Sequence, residues 1–268
     1  LFDQNIDEFI FGTYGEPLLH NKIHEMIAYA KKSNRIREVS MVTNGSFLFG
    51  EKIEDIAKSG LDKIRISIEA MSDAKYFETT LVKQSFSDII SNIKAFKSAV
   101  KLNNNNTFIY AKILDTGLSM TERRDFFKIF TNITDACAIE NLTGLTPKAR
   151  KMFNEPKYPK GMPGFGFTSN RKVCPSPFYS LSIHANGDVG VCCADWYHKT
   201  KVGSIKDQSL KQIWNSKELN AFRLEQLIKS WKEVDGCKGC ETVGHYTKQE
   251  DLDHKIPELI KIYSKPTN

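Results

Sequence analysis

No stretch of this 268-residue chain holds the ~20 consecutive apolar residues that cross a bilayer, and no signal-peptide pattern stands at its start. Membrane-spanning and secreted classes are set aside on that reading. No internal repeat is visible, which argues against solenoids and propellers. The formal charge of +6 is mild and the lysines are scattered, so no basic patch marks a nucleic-acid partner. Cysteine is scarce, with six in the chain, and five of them fall between Cys174 and Cys240. Clustered thiols without a secretory signal point to metal ligation in a reducing, cytoplasmic compartment rather than to disulfides. The remainder is ordinary for a globular protein: 40% apolar and 26% charged residues, enough for one large domain and a small one.

The stretch from Val173 to Cys240 carries the strongest signal. Cys174 opens it, the turn-like run His184-Ala185-Asn186-Gly187-Asp188 follows, and Cys192 comes next. Far downstream, Cys237-Lys238-Gly239-Cys240 closes the set as a C-x-x-C pair. Asn186-Gly187 between Leu181-Ser182-Ile183 and Val189-Gly190-Val191 predicts a two-residue hairpin, both central positions favouring positive φ. That hairpin would bring Cys192 back beside Cys174. Cys193 should then face the opposite side of the strand, and Cys137, within Ala136-Cys137-Ala138-Ile139, reads as a buried thiol. Two alternatives stand beside a metal cluster: structural zinc, although zinc ribbons usually show two C-x-x-C knuckles, and plain buried thiols, which suits Cys237 and Cys240 poorly among Gly and Lys.

The first half alternates strand and helix. Apolar strands are predicted at 9–12, 39–42, 63–69, 107–114 and 137–140, with helical spacing of apolar residues between them. Such alternation means βαβ units and a parallel sheet, an α/β class. Ligands in such folds bind beyond the carboxyl ends of the strands. There the chain places Gly12-Thr13-Tyr14-Gly15-Glu16-Pro17, Thr43-Asn44-Gly45, Ser67-Ile68-Glu69 and Glu140-Asn141. Each alone is as readily a turn as a site. Residues 146–172, rich in Pro and Gly, read as a linker or substrate loop, and 246–268 as a helical tail. A capping box at Ser209-Leu210-Lys211-Gln212 should open a short helix, with a second over 218–229.

The spacing C-x(12)-G-x(4)-C through Cys174, Gly187 and Cys192, then C-x-x-C, resembles the SPASM/twitch extension of radical S-adenosylmethionine (radical SAM) enzymes. The run Val202-Gly203-Ser204-Ile205, with Leu210, Ile213-Trp214-Asn215 and Arg223, is similar to the segment those domains carry between their ligand pairs. No cysteine follows between Glu241 and Tyr246, so the resemblance is to the shorter twitch form, at 173–245. It implies one auxiliary 4Fe–4S cluster on Cys174, Cys192, Cys237 and Cys240. For residues 1–145 it implies a partial parallel (β/α) barrel, five of six strands present, followed by the small α+β cluster domain.

It implies further that Gly15 and Glu16 meet the methionine ammonium of S-adenosylmethionine. Ser67 and Glu69 would contact ribose and carboxylate, Lys112 would offer a cation to that carboxylate, and Asn44 would line the same mouth. Glu140 and Asn141 are the weakest of these assignments. The family's C-x(3)-C-x(2)-C motif, which holds the S-adenosylmethionine-cleaving cluster, is absent from these residues. The chain opens on Leu1 and enters a strand almost at once, so it reads as an N-terminally truncated fragment in which cleavage is not expected. The activity implied for the whole enzyme is radical oxidation or modification of a small molecule such as a sugar or alcohol. An external flavodoxin- or ferredoxin-like electron donor would serve it. The alternatives are a peptide-modifying maturase and a non-catalytic, zinc-stabilised α/β binding protein.

Overall fold

The computed structural model describes residues 5–141, 170–240 and 242–265. The chain divides into two compact units that meet in sequence at residues 140 and 141.

The first unit is a five-stranded sheet in sequential order, β1 (Ile6–Phe11), β2 (Ile36–Thr43), β3 (Lys63–Ile68), β4 (Phe108–Asp115) and β5 (Ala136–Asn141). Pairing from β1 to β4 is parallel, with Phe9 opposite Val39, Thr43 opposite Ile66 and Ser67 opposite Lys112. Helices α1 (Ile23–Lys32), α2 (Glu51–Lys58), α3 (Asp73–Thr80), α4 (Phe86–Leu102) and α5 (Met120–Ile133) make the crossovers that parallel strands require. Strand alternation sorts the residues by face. Ile64, Ile66 and Ile68 of β3 and Ile109, Ala111 and Ile113 of β4 are buried with Ile27, Ile56, Phe96, Phe126 and Phe130 of the helices. Arg65 and Ser67, with Tyr110 and Lys112, fall on the other face and make it polar. The partial parallel barrel expected from the sequence is this sheet.

Helix α3 went unpredicted. Its stretch carries few apolar residues, and Ser72, whose side chain accepts from Lys75 N, was the signal available. The cap turns the chain so that Tyr76 is buried and its hydroxyl sits 3.1 Å from the Glu69 amide, which donates to it.

The second unit holds a short helix α6 (Ser176–Tyr179) and an antiparallel sheet of β6 (Ser182–Ile183), β7 (Asp188–Gly190) and β8 (Lys201–Ser204). Helices α7 (Leu210–Trp214), α8 (Lys217–Lys229) and α9 (Ile256–Tyr263) follow. The hairpin forms, but not as a two-residue turn. His184 N donates to Asp188 O and Gly187 N to His184 O, so Ala185–Gly187 make the loop and positive φ is confined to Gly187 (φ 89°). Asn186 stays out of the left-handed region because its Oδ1 is engaged by the Asp188 amide at 3.0 Å. Strand β8 was not anticipated, and α7 opens on the expected capping box of Ser209 and Gln212.

Two ties fasten residues 171–173 to residues 243–253. Arg171, buried, donates through Nη1 to Val243 O (3.0 Å) and Tyr246 O (3.3 Å) and through Nη2 to Thr247 O (2.8 Å). The Asp253 carboxylate accepts from the amides of Lys172 and Val173. The predicted linker lies, up to residue 169, outside the described residues. Among the described residues no helix is long and apolar enough to cross a membrane.

Candidate functional site

In the second unit, Cys174, Cys192, Cys237 and Cys240 line one small cavity of about 50 Å³. Cys174 enters just ahead of α6, Cys192 leaves β7, and the C-x-x-C pair sits in a turn where Cys240 N donates to Cys237 O at 3.0 Å. Gly236 and Gly239 hold positive φ there, which lets the knuckle bend back on itself. Gln226 and Thr242 complete a polar part of the wall, with Pro177, Val191 and Val243 as the apolar part.

Burial in this cavity disfavours the thiolate form of its cysteines. Burial pushes Cys174 and Cys240 up, and Cys237 up to about 12. The charges of the four sulfurs act on one another in the same direction. A cationic core at the centre would reverse each of these effects, as metals do for coordinating thiols. One buried oxygen on the wall, Gln226 Oε1, has no protein hydrogen-bond partner. Donors already reach the sulfurs, among them Ala194 N to Cys192 Sγ and Gln226 Nε2 to Cys237 Sγ, both at 3.2 Å. Among the described residues no three His, Cys, Asp or Glu groups are disposed to hold a single metal ion. Four thiols around a shared volume, with donors aimed at sulfur, are the chemistry of a thiolate-held metal centre.

Cys193 is exposed and, unlike Cys192, is not among the residues that line the cavity. Strand β7 ends at Gly190, so alternation no longer governs residues 192 and 193. Cys193 shares a thiol–thiol hydrogen bond with Cys192, which pushes Cys192 up and Cys193 down. Cys137 lies in the first unit, packed against its apolar core.

The predicted S-adenosylmethionine residues fall into two sets at the carboxyl ends of the strands. In the first, the Glu16 carboxylate accepts from Thr43 Oγ1 (2.6 Å), Asn44 N (2.8 Å) and Leu18 N (3.0 Å). It therefore straps the loop after β1 to the end of β2, and its acceptor capacity is largely used within the chain. Gly15 beside it is exposed, with φ 89° and open space where a side chain would be. Asn44, exposed, accepts from Ser46 N and Oγ and so shapes the loop.

The second set centres on Glu140, a residue sequence reasoning ranked last. Its buried carboxylate accepts from the Tyr110 hydroxyl at 2.7 Å and pairs with Lys112 at 3.2 Å and Arg65 at 3.9 Å. Lys112 is thus a half-buried, paired cation rather than a solvated strand lysine. Ser67 stands opposite it in register. Burial raises Glu69 above the usual carboxylate range, with the Lys112 charge opposing.

A family model for the radical SAM superfamily matches residues 1–113, and one for SPASM, an iron–sulfur cluster-binding domain, matches residues 174–241. The chain belongs to the radical SAM superfamily and carries a SPASM domain. Members of this superfamily use S-adenosylmethionine with a 4Fe–4S cluster, and the SPASM domain holds auxiliary iron–sulfur clusters. This radical SAM chain is similar to GTP 3′,8-cyclase of Clostridium perfringens, 28% identical over 97 residues, covering 36% of this chain and 30% of that protein. It is 36% identical to the probable GTP 3′,8-cyclase of Methanopyrus kandleri over 83 residues, 31% of this chain and 26% of that one. The matched stretch thus spans less than a third of either relative. GTP 3′,8-cyclase of Aquifex aeolicus is 23% identical over 83% of this chain and 78% of its own length. Among solved structures, BtrN in complex with AdoMet and 2-DOIA shares the fold (TM-score 0.51, 18% identity, 89% of this chain, 76% of that one). Streptococcus suis SuiB bound to S-adenosylmethionine does so too (TM-score 0.57, 14% identity, 91% and 65%).

Proposed function

We propose that this chain is part of a radical SAM oxidoreductase or modifying enzyme acting on a small molecule such as a sugar or alcohol. In this reading Cys174, Cys192, Cys237 and Cys240 hold one auxiliary 4Fe–4S cluster. The observation that carries it is the convergence of these four thiols, from three separate segments, on one cavity whose wall also aims N–H donors at sulfur. When bound, S-adenosylmethionine with its own cluster supplies a carbon radical that removes hydrogen, and the auxiliary cluster supplies a one-electron acceptor. The chain's own residues bind and orient. Lys112 and Ser67 offer a cation and a hydroxyl to a carboxylate and ribose, and Glu69 offers an acceptor. Glu16 keeps Gly15 and Asn44 in place through its bonds to Thr43 and Asn44. A small-molecule substrate is supported by the GTP 3′,8-cyclase relatives, whose name specifies a nucleotide.

Anaerobic purification followed by iron, sulfide and zinc analysis tests the cluster. Iron and sulfide at about four each per chain, with broad absorbance near ~400 nm, is the expected result. Replacing any one of the four cysteines by alanine should abolish or degrade that signal, whereas Cys137→Ala should leave it intact. Colourless protein with stoichiometric zinc would overturn the reading.

A further inference from the structure

Gln226 lies on the buried stripe of α8, one turn beyond Arg223 and beside Leu227, with none of its surface exposed. An apolar residue is the usual occupant of such a position. Its amide nitrogen donates to Cys237 Sγ at 3.2 Å, while its amide oxygen is buried with no partner. A fully buried amide with one half unsatisfied is unfavourable unless the other half does something a leucine or methionine cannot. Turning the amide over would set its oxygen against the sulfur. That orientation suits a thiol, which can donate, but not a thiolate, which can only accept. The orientation seen is the one a metal-bound thiolate needs.

We propose that Gln226 is a positioning residue for the auxiliary cluster: its amide N–H on Cys237 Sγ shifts the redox equilibrium of the cluster toward the reduced form. This rests on the cluster reading above. Reduction adds negative charge that spreads onto the ligating sulfurs, and a donor fixed against one of them stabilises the reduced state more than the oxidised one. In a buried wall the effect is larger than in water. The electron is exchanged with a one-electron carrier of the flavodoxin or ferredoxin type, and Gln226 transfers neither electron nor proton.

The test is an EPR-monitored redox titration of the cluster-loaded full chain, run for wild type, Gln226→Met and Gln226→Glu, each first shown to hold the same iron and sulfide. Gln226→Met keeps the volume and removes the donor. Its redox equilibrium should move about tenfold toward the oxidised form, a midpoint lower by about 59 mV for a one-electron couple. Gln226→Glu should move it further in the same direction. Pulsed EPR of wild type carrying ¹⁵N-labelled glutamine should show a nitrogen coupling to the cluster. That measurement tests the contact on which the shift depends even if both variants fold poorly. A fully loaded Gln226→Met chain with unchanged midpoint, or a labelled wild type without nitrogen coupling, overturns the proposal and leaves the cluster reading standing. A wild-type chain without an iron–sulfur cluster overturns both.

Discussion

At the scale of single residues, the sharpest tension sits at Glu69. Burial holds this carboxyl above its usual range and Lys112 only partly offsets it. A carboxyl with a raised folded pKa contributes fully to stability when protonated, below its unfolded value. That contribution is lost as pH rises through the folded pKa. Glu69→Gln, fixed in the neutral state, should therefore raise Tm at pH 7. The gain should vanish below about pH 4, where the unfolded carboxyl is itself protonated. Thermal melts at the two pH values check this, and an equal gain at both would assign it to packing instead. Equilibrium dialysis should show weaker S-adenosylmethionine binding for the same variant, since stability forgone at a charged site commonly marks function. Such sites were unevenly legible in the sequence. The four cysteines announce themselves by spacing. Glu140 does not, because its weight comes from Arg65, Tyr110 and Lys112, two strands that only pairing brings to its side. Gln226 could have been noticed as a polar residue among Leu219, Arg223 and Leu227, but its partner Cys237 lies beyond the helix that carries it.

At the scale of elements, the β1 and β2 ends are held together by a requirement for glycine. Gly12 has φ 93°, and a Cβ there would drive into the Val42 carbonyl oxygen. Gly12→Ala should cost about 2–3 kcal/mol from the backbone conformation and the displaced β2 end together. Denaturant melts would read this as a lower midpoint with unchanged slope, and a shift below ~0.5 kcal/mol would show that the loop simply rearranges. Elements with a strong period were readable: Lys63–Ile68 alternates in sequence as it does in burial, and α4 repeats its apolar residues at helical spacing. Elements that depend on a cap or a partner were not. Helix α3 rests on Ser72 and the burial of Tyr76, and β8 exists because β7 offers it an edge. The hairpin loop was placed correctly but one residue short, since an Asn-Gly pair fits both a two-residue turn and a longer one ending in a left-handed glycine.

At the scale of the whole molecule, the division into two compact units predicts that they answer differently to loss of iron. Removing the cluster by chelation under oxidising conditions should lower hydrogen-exchange protection across 174–240. The amides of β2, β3 and β4, whose core is Ile64, Ile66, Ile109 and Phe96, should be unaffected. Mass-resolved exchange of the full chain, with and without cluster, checks this, and uniform loss across both units would refute it. The ties at Arg171 and Asp253 bear on something other than stability. Because Arg171, Lys172 and Val173 are bonded to residues 243–253, the stretch that would ligate the cluster enters and leaves at nearly one point. A segment with adjoining ends can be spliced into a loop of a host without forcing the host's own ends apart. The clasp thus gives the cluster-holding region the adjoining ends of an insertable segment.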